Sequence, residues 1–199
     1  MKTIKIIAAI FLLIVITNVF TILYFMNKRE SKFDLNQSSV VFQIQALNRL
    51  ETASFTIEKI IEAGTDANAF TDILFGDKIL LIAHAEIIAG FDFSKIKETD
   101  IKVNGDMVTI QMPAPEILVS RLDNEKTRIY DRELGFLTKG DPKLETQTRL
   151  RAERSITEDA CRAGILDTAS INAKKQLETM LYSIGFKEVV LNIPVGKCE

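Results

Sequence analysis

The segment KILLIAHAEIIAGFDF, residues 78–93, is the most informative part of the sequence about the fold, because it is a long apolar run rich in isoleucine, leucine and alanine. Such a run predicts one long strand, or two strands joined by a bulge, buried on most of both faces. Upstream, apolar and polar side chains alternate from Phe55 to Glu58, which predicts a partner strand that ends near Gly64. Residues 64–72 show no periodic pattern, so we expect a loop there.

An asparagine–glycine turn follows this run. The dipeptide at 104–105 separates residues 101–103 from residues 106–110, and it tolerates the positive φ angles of a type I′ turn. The pattern therefore predicts a β-hairpin. A further strand pair is predicted at 117–122 and 127–130, on either side of a polar turn.

Helical periodicity begins at Leu144. Oppositely charged residues four positions apart support a first helix, which we expect to end at Gly164. Asp167 is expected to cap a second helix that stops at Gly185, and residues 186–193 are expected to form a closing strand. The second helix has one apolar side, formed by Ala169, Ala173, Leu177, Met180, Leu181 and Ile184.

Together these elements predict an α+β domain over residues 38–199. It has a mostly antiparallel sheet, a C-terminal helical pair and a closing strand, and its first helix is capped by Ser38 or Ser39. The chain carries 25 basic and 27 acidic residues, a formal net charge of −2. This balance excludes a nucleic-acid binder that reads phosphates by counterion release, and it gives the domain no attraction of its own to anionic lipid.

The amino-terminal part of the chain is apolar. Ile6–Asn27 is an uncharged run of 22 residues, and about 20 helical residues cross a bilayer. A cleaved signal peptide would need a pair of small residues after its apolar core, and no such pair follows Ile16. We therefore expect residues 6–27 to form a single transmembrane helix, after a short tail at 1–5 and before a juxtamembrane linker at 28–37.

The orientation of this anchor follows from its flanks. The basic residues on its two sides nearly balance, so the positive-inside rule alone does not decide the orientation. A five-residue tail usually stays in the cytoplasm while the long domain is translocated. We expect a single-pass protein of the cytoplasmic (inner) membrane, with its domain on the extracytoplasmic side.

Candidate catalytic and metal-binding side chains centre on His84, the single histidine of the chain. His84 and Glu86 lie two positions apart on a predicted strand and would share one face. Two ligands are too few for most metal sites, and a catalytic triad through His84 would lack the G-x-S-x-G turn of its nucleophile. We expect His84 to be a hydrogen-bonded strand residue beside a surface acid. The sequence identifies no catalytic, cofactor-binding or metal-binding residue.

Gly135–Gly140 has the glycine spacing of the front half of a phosphate-binding loop. That loop requires a lysine and a serine or threonine next, whereas this chain has Asp141 and Pro142. An aspartate repels phosphate and a proline has no N–H to donate. We expect a turn before the helix instead.

The two cysteines, Cys161 and Cys198, leave two alternatives open. They can form a disulfide if the domain lies outside the cytoplasm. The sequence favours the second alternative, a buried thiol at Cys161 and a frayed tail at Cys198, because chain termini are usually poorly ordered.

Several stretches of the chain together carry a family resemblance. The stretches are LETASFT (50–56), LLIAHAEIIAGFDFS (80–94), PAPEIL (113–118), TRIYD (127–131), and the positions Ala160, Gly164-Ile165-Leu166, Asn172-Ala173 and Gly185-Phe186. Together they resemble one bacterial family of membrane-anchored proteins, the domain of unknown function 4230. The resemblance spans about residues 40–195 and implies no activity, cofactor or catalytic residue. Ala85 departs from it, since a glycine is expected there, and this puts a tight backbone approach at that position in doubt.

Two functions of different class follow from the sequence. The first is a non-catalytic interaction or scaffolding module, held at the membrane through Ile6–Asn27, with a protein partner or a second copy bound. The alternative is a small-molecule-binding domain or hydrolase with a pocket around Ala89-Gly90-Phe91-Asp92. The sequence shows no paired nucleophile and base, which favours the first. A deep pocket with convergent polar groups would favour the second, and an exposed apolar patch would favour the first.

Overall fold

The computed structural model describes residues 12–22, 37–64 and 69–198. The chain divides into two compact units, Met1–Leu35 and Asn36–Glu199. In the first unit, residues 12–22 are helical (α1), and their large apolar side chains are exposed. Within the described residues, no helix combines the length and the apolar character needed to cross a bilayer. The other residues of the span predicted at 6–27 lie outside the described part, as do the predicted tail and nearly all of the linker.

The second unit begins with helix α2 (Gln37–Ala46), close to the predicted serine caps, and continues into a long hairpin. Strands β1 (Arg49–Gly64) and β2 (Asp77–Asp92) each have 16 residues and pair antiparallel. The predicted run therefore forms one uninterrupted strand as far as Asp92, and Phe93 begins a short 3-10 helix. Its odd-numbered residues are buried and most of its even-numbered residues are half-buried, so the expected burial on both faces is complete on one face only.

Helix α3 (Ala69–Phe75) lies between these two strands, where the sequence predicted a loop. That prediction was wrong for the second half of the segment. Seven residues are too few to establish a helical period, and the helix is instead tied to a distant loop, because Phe136 N donates to Ile73 O and Leu137 N donates to Leu74 O.

Strands β5 (Glu116–Leu122) and β6 (Arg128–Leu134) were expected to pair with each other, and this prediction was wrong. Both pair antiparallel with β2, end to end along the same side of it. The buried Thr127 explains the arrangement, because its Oγ1 accepts from His84 N at 3.1 Å and fills the gap in the ladder between the two strands. The intervening turn thus runs along β2 instead of reversing the chain onto itself.

A second sheet has three strands in the order β3–β4–β7. Strands β3 (Ile101–Asn104) and β4 (Met107–Gln111) form the predicted hairpin, with Gly105 at φ +59°. Strand β7 (Glu188–Asn192) is the predicted closing strand, and it pairs parallel with β4. The predicted mostly antiparallel sheet is therefore two sheets, and the second contains a parallel pair.

The C-terminal helical pair consists of α4 (Leu144–Arg162) and α5 (Ile165–Ser183). Helix α5 begins three residues before the predicted start, because Gly164 at φ +80° makes the turn by itself and Asp167 falls within the first turn. Both helices pack on the β1–β2 hairpin. The observed architecture confirms the α+β class. The main core contains Ala53, Ile61, Ile79, Leu81, Ala83, Ala85, Ile87, Ala89, Leu144, Ala152, Ile156, Ala160, Ile165, Leu166 and Ala169.

A pair of hydrogen bonds fastens α5 to β1. Thr52 lies at a register shift of β1, where its carbonyl is available. Its Oγ1 donates to Ala169 O at 2.9 Å, and Asn172 Nδ2 donates to its carbonyl oxygen at 2.8 Å. Thr52 is buried, so each of these bonds satisfies a polar group that is out of reach of bulk water. Both ends of this contact lie in stretches that carry the family resemblance.

Candidate functional site

The structure places His84 and Glu86 on one face of β2, opposite the two long helices, as their spacing predicts. Their side chains turn to different partners. His84 Nε2 lies 3.3 Å from the Glu58 carboxylate on β1, and Arg121 Nη2 lies 2.5 Å from the Glu86 carboxylate on β5. Over residues 12–22, 37–64 and 69–198, no group of three or more His, Cys, Asp and Glu side chains is placed to hold a metal ion. His84 and Glu58 lie directly opposite each other in the register of β1 and β2, so their contact joins the two strands.

The segment Gly90–Asp92, proposed above as a pocket, is a packed junction. A Cβ built on Gly90 would lie 2.0 Å from Leu50 O, and Phe91 is fully buried with its ring 6.0 Å from that of Phe93. Asp92 accepts a hydrogen bond from Ser94 N at 3.0 Å and caps a short 3-10 helix, Phe93–Lys95. This geometry gives the segment a structural role.

Ala85, the departure from the family pattern, is buried between Ile57 of β1 and Leu122 of β5 in the strand register. The tight backbone approach occurs at Gly90, where a side chain has no room.

The glycine-spaced segment Gly135–Gly140 packs against helix α3. Gly135 N donates to Gly76 O at 2.8 Å, and a Cβ at Gly135 would lie 2.6 Å from the carbonyl carbon of Leu74. Gly140 adopts φ +78°, where a Cβ would lie 3.1 Å from Asp77 Oδ2. The two glycines thus allow close backbone packing beside a carboxylate. A carboxylate repels anions, so the segment is not suited to bind phosphate.

Asp77 is the best-organised charged group near this segment, and the sequence analysis missed it. Its side chain is only 1% exposed. Arg132 donates to it from Nε at 2.9 Å and from Nη2 at 2.7 Å, and Asp141 N donates at 2.6 Å. The hydrogen bonds from Arg132, followed by that from Asp141 N, lower the pKa of Asp77 against the opposing effect of its burial. One carboxylate therefore holds together the start of β2, the strand β6 and the loop before α4.

The apolar surface that these contacts support lies at the end of the hairpin remote from Arg49. It consists of Ile73, Phe75, Leu134, Phe136 and Leu137, which we call the distal tip. Each of these side chains is more than half exposed, and Phe136 is 87% exposed. The backbone hydrogen bonds between α3 and residues 135–137 satisfy polar groups within the tip, and the apolar side chains point outward. No local pattern indicates this surface, because its members come from a short helix, a strand end and a turn.

The structure pairs Cys161 with Cys198 in a disulfide, with their Cα atoms 6.2 Å apart. The expectation of a buried thiol and a frayed tail was therefore wrong. The tail runs in close contact with the domain, since a Cβ on Gly196 would lie 2.6 Å from Pro115 O and 2.9 Å from Leu166 Cδ1. These contacts bring Cys198 to the end of α4.

The fold and these sites define a two-sheet α+β domain with a helical pair on one face, a disulfide-bonded tail and an exposed apolar tip. The model of the family described as Protein of unknown function (DUF4230) matches residues 42–191, and the chain belongs to this family. The membership in domain of unknown function 4230 that the sequence resemblance suggested is thereby confirmed. No curated protein and no solved structure matches the chain.

Proposed function

We propose that the protein is a membrane-tethered, non-catalytic interaction module and that the distal tip is its contact surface. The observation that carries this proposal is the exposure of five large apolar side chains on a platform fixed by backbone hydrogen bonds. Three of these side chains, Ile73, Leu134 and Phe136, line one shared concavity. A large exposed apolar patch is typical of a site that binds another molecule. The alternative at Gly90–Asp92 receives no support from the packing there.

The ionisable groups of the described residues support a non-catalytic role. His84 contacts a carboxylate on an open sheet face, not a hydroxyl or thiol that it could activate. Asp77, the most buried carboxylate described, is held in its ionised form by Arg132 and cannot serve as a general acid near neutral pH.

The proposed tether rests on the apolar run Ile6–Asn27 and on the chemistry of its polar residues. In α1, Thr17 Oγ1 donates to Ile14 O at 2.9 Å and Asn18 Nδ2 donates to the same oxygen at 2.9 Å. Thr21 Oγ1 donates to Thr17 O at 3.0 Å. Polar side chains that bond within their own helix reduce the cost of placing it in hydrocarbon. We infer that residues 6–27 anchor the protein in the inner membrane.

The proposed extracytoplasmic position of the domain rests on the disulfide between Cys161 and Cys198. Disulfides persist in oxidising compartments and are rare in the bacterial cytoplasm. Carbonate washing of membranes and protease treatment of spheroplasts test the anchor and the orientation. We expect retention in the membrane and digestion of the domain by external protease. Release by carbonate would contradict the anchor, and full protection would contradict the orientation.

A photo-crosslinking residue at position 136 tests the tip in intact cells. The control carries the same residue at position 171, where Ile171 is exposed on α5 outside the tip. We expect adducts from position 136 in clear excess over position 171, whether to lipid, to protein or to a second copy. Equal adducts from both positions, or none, would overturn the assignment of the tip as the contact surface.

A further inference from the structure

We propose that residues 193–198 form a strap that the disulfide between Cys161 and Cys198 holds in place and that a dithiol releases. The strap begins directly after Asn192, the last residue of β7. It passes Pro115, the residue before β5, and ends at the bond to Cys161, the next-to-last residue of α4. The inference is independent of the proposed tether and of the distal tip.

Little besides the disulfide holds the strap. Among the described residues, no hydrogen bond joins residues 193–198 to the rest of the domain, whereas the preceding strand β7 is paired along its length with β4. The half-buried Ile193 and Gly196 supply the contacts, and Val195 is 85% exposed. Ordering a segment costs backbone entropy for every residue, so contacts this sparse do not keep six residues in place once the covalent bond is lost.

The strap covers apolar surface of the domain. Gly196 packs directly on the first turn of α5, since a Cβ at Gly196 would lie 2.9 Å from Leu166 Cδ1. With the strap in place, Leu166 is only 8% exposed. The disulfide also lines a groove between α4 and β5, whose other lining residues include Leu150 and Ser120. Release of the strap therefore exposes Leu166 and removes Cys198 from the lining of this groove.

The position of the disulfide makes it accessible to thiols. Both cysteines line the groove, from which a thiol can approach, and Cys198 is exposed while Cys161 is half-buried. Thiol–disulfide exchange requires access to the sulfur that is attacked, so we expect attack on Cys198 Sγ.

The exchange proceeds in two steps through a mixed disulfide. A thiolate of the reductant bonds to Cys198 Sγ and the protein S–S bond breaks, so that Cys161 leaves as a thiolate and takes up a proton. The second thiol of the reductant then loses its proton, attacks the mixed disulfide and releases Cys198, which is protonated in turn. The protein gains two electrons and two protons, and the dithiol becomes a disulfide.

The experiment places a tryptophan on the strap, because the chain contains none of its own. Val195→Trp changes a side chain that is already exposed. Time-resolved fluorescence anisotropy of the full-length variant in detergent is measured before and after treatment with dithiothreitol, without denaturant. We expect slow decay in the oxidised protein and a large additional nanosecond component after reduction. Ile171→Trp, at an exposed position on α5, is the matched control and should not respond.

The outcomes distinguish the possible roles of the disulfide. A bond that survives dithiothreitol in the folded protein, as shown by mass spectrometry after alkylation, overturns release by a dithiol. A reduced bond without added motion at position 195 overturns the strap, and so does dominant fast motion there in the oxidised protein. Equal responses at positions 195 and 171 mean that the bond holds the whole domain, which overturns the local role.

A variant without the disulfide completes the test. Replacing both cysteines by serine in the Val195→Trp protein should give the nanosecond component without any reductant and abolish the response to dithiothreitol. Slow decay in that variant would contradict the proposal, because it would mean that contacts other than the disulfide hold the strap.

Discussion

Leu177 offers the sharpest test of the helix packing, because it is 1% exposed at the centre of the apolar side of α5. The buried Ala173 and Leu181 lie one turn before and one turn after it. Leu177→Ala removes three carbons from this packed region, and the fixed neighbours leave a cavity in their place. Substitutions of this type cost ~2–5 kcal/mol, a large share of the typical free energy of unfolding of about 5–15 kcal/mol.

Urea unfolding of residues 36–199, which form one compact unit, measures the effect. With a slope of about 2 kcal/mol per molar urea, the midpoint should fall by ~1–2.5 M. Lys175→Ala is the matched control on the same helix, and because Lys175 is exposed it should cost under ~0.5 kcal/mol. Small and equal effects of both substitutions would mean that the apolar side faces solvent, which would refute the packing described here.

Three further predictions concern polar groups and the disulfide. His84→Ala should leave metal content and any activity unchanged with the circular dichroism spectrum retained, since its partner is a single exposed carboxylate; loss of a bound metal would refute this. Asp77→Asn should destabilise the fold most at neutral pH. Because the pKa of Asp77 is lowered in the folded state, the ionised carboxylate stabilises the fold above the unfolded pKa of about 4, and this stabilisation is lost as the pH falls through the folded pKa. The free energies of unfolding of the two proteins should therefore converge in acid. A difference in urea unfolding that stays constant between pH 7 and pH 3 would exclude this. Replacing Cys161 and Cys198 by serine should lower the free energy of unfolding by roughly 4 kcal/mol, from the entropy of closing a loop with a sequence separation of 37, and reduced wild type should lose the same amount.

The sequence correctly predicted the features that depend on residues adjacent in the chain. The apolar run of β2, the turn at Gly105 and the left-handed Gly164 each depend on a few adjacent residues, and each lies where the sequence predicted it. Local pattern also located the apolar side of α5, because a 19-residue helix samples five turns.

Sequence patterns did not predict the features that depend on contacts between residues far apart in the chain. The pairing of β5 and β6 with β2 depends on Thr127. Its hydroxyl oxygen accepts a hydrogen bond from the backbone N of His84, a residue distant in the sequence. The disulfide depends on a tail held against Pro115, which no pattern near Cys198 reveals. The distal tip was not predicted because its residues are of types that are just as common in a buried core. Their exposure follows only from the way the helix, strand end and turn come together in the folded domain.

The bridge between Cys161 and Cys198 also determines how the domain carries mechanical load. Tension on the chain beyond Cys198 enters α4 directly through the two sulfur atoms, and the segment 162–197 lies in a closed covalent ring outside the load path. Strand β7 belongs to that ring, so a pull from this end does not peel it from its parallel neighbour β4. The force passes instead into the helix that packs on β1 and β2, whose long antiparallel ladder is the most extensively paired part of the domain.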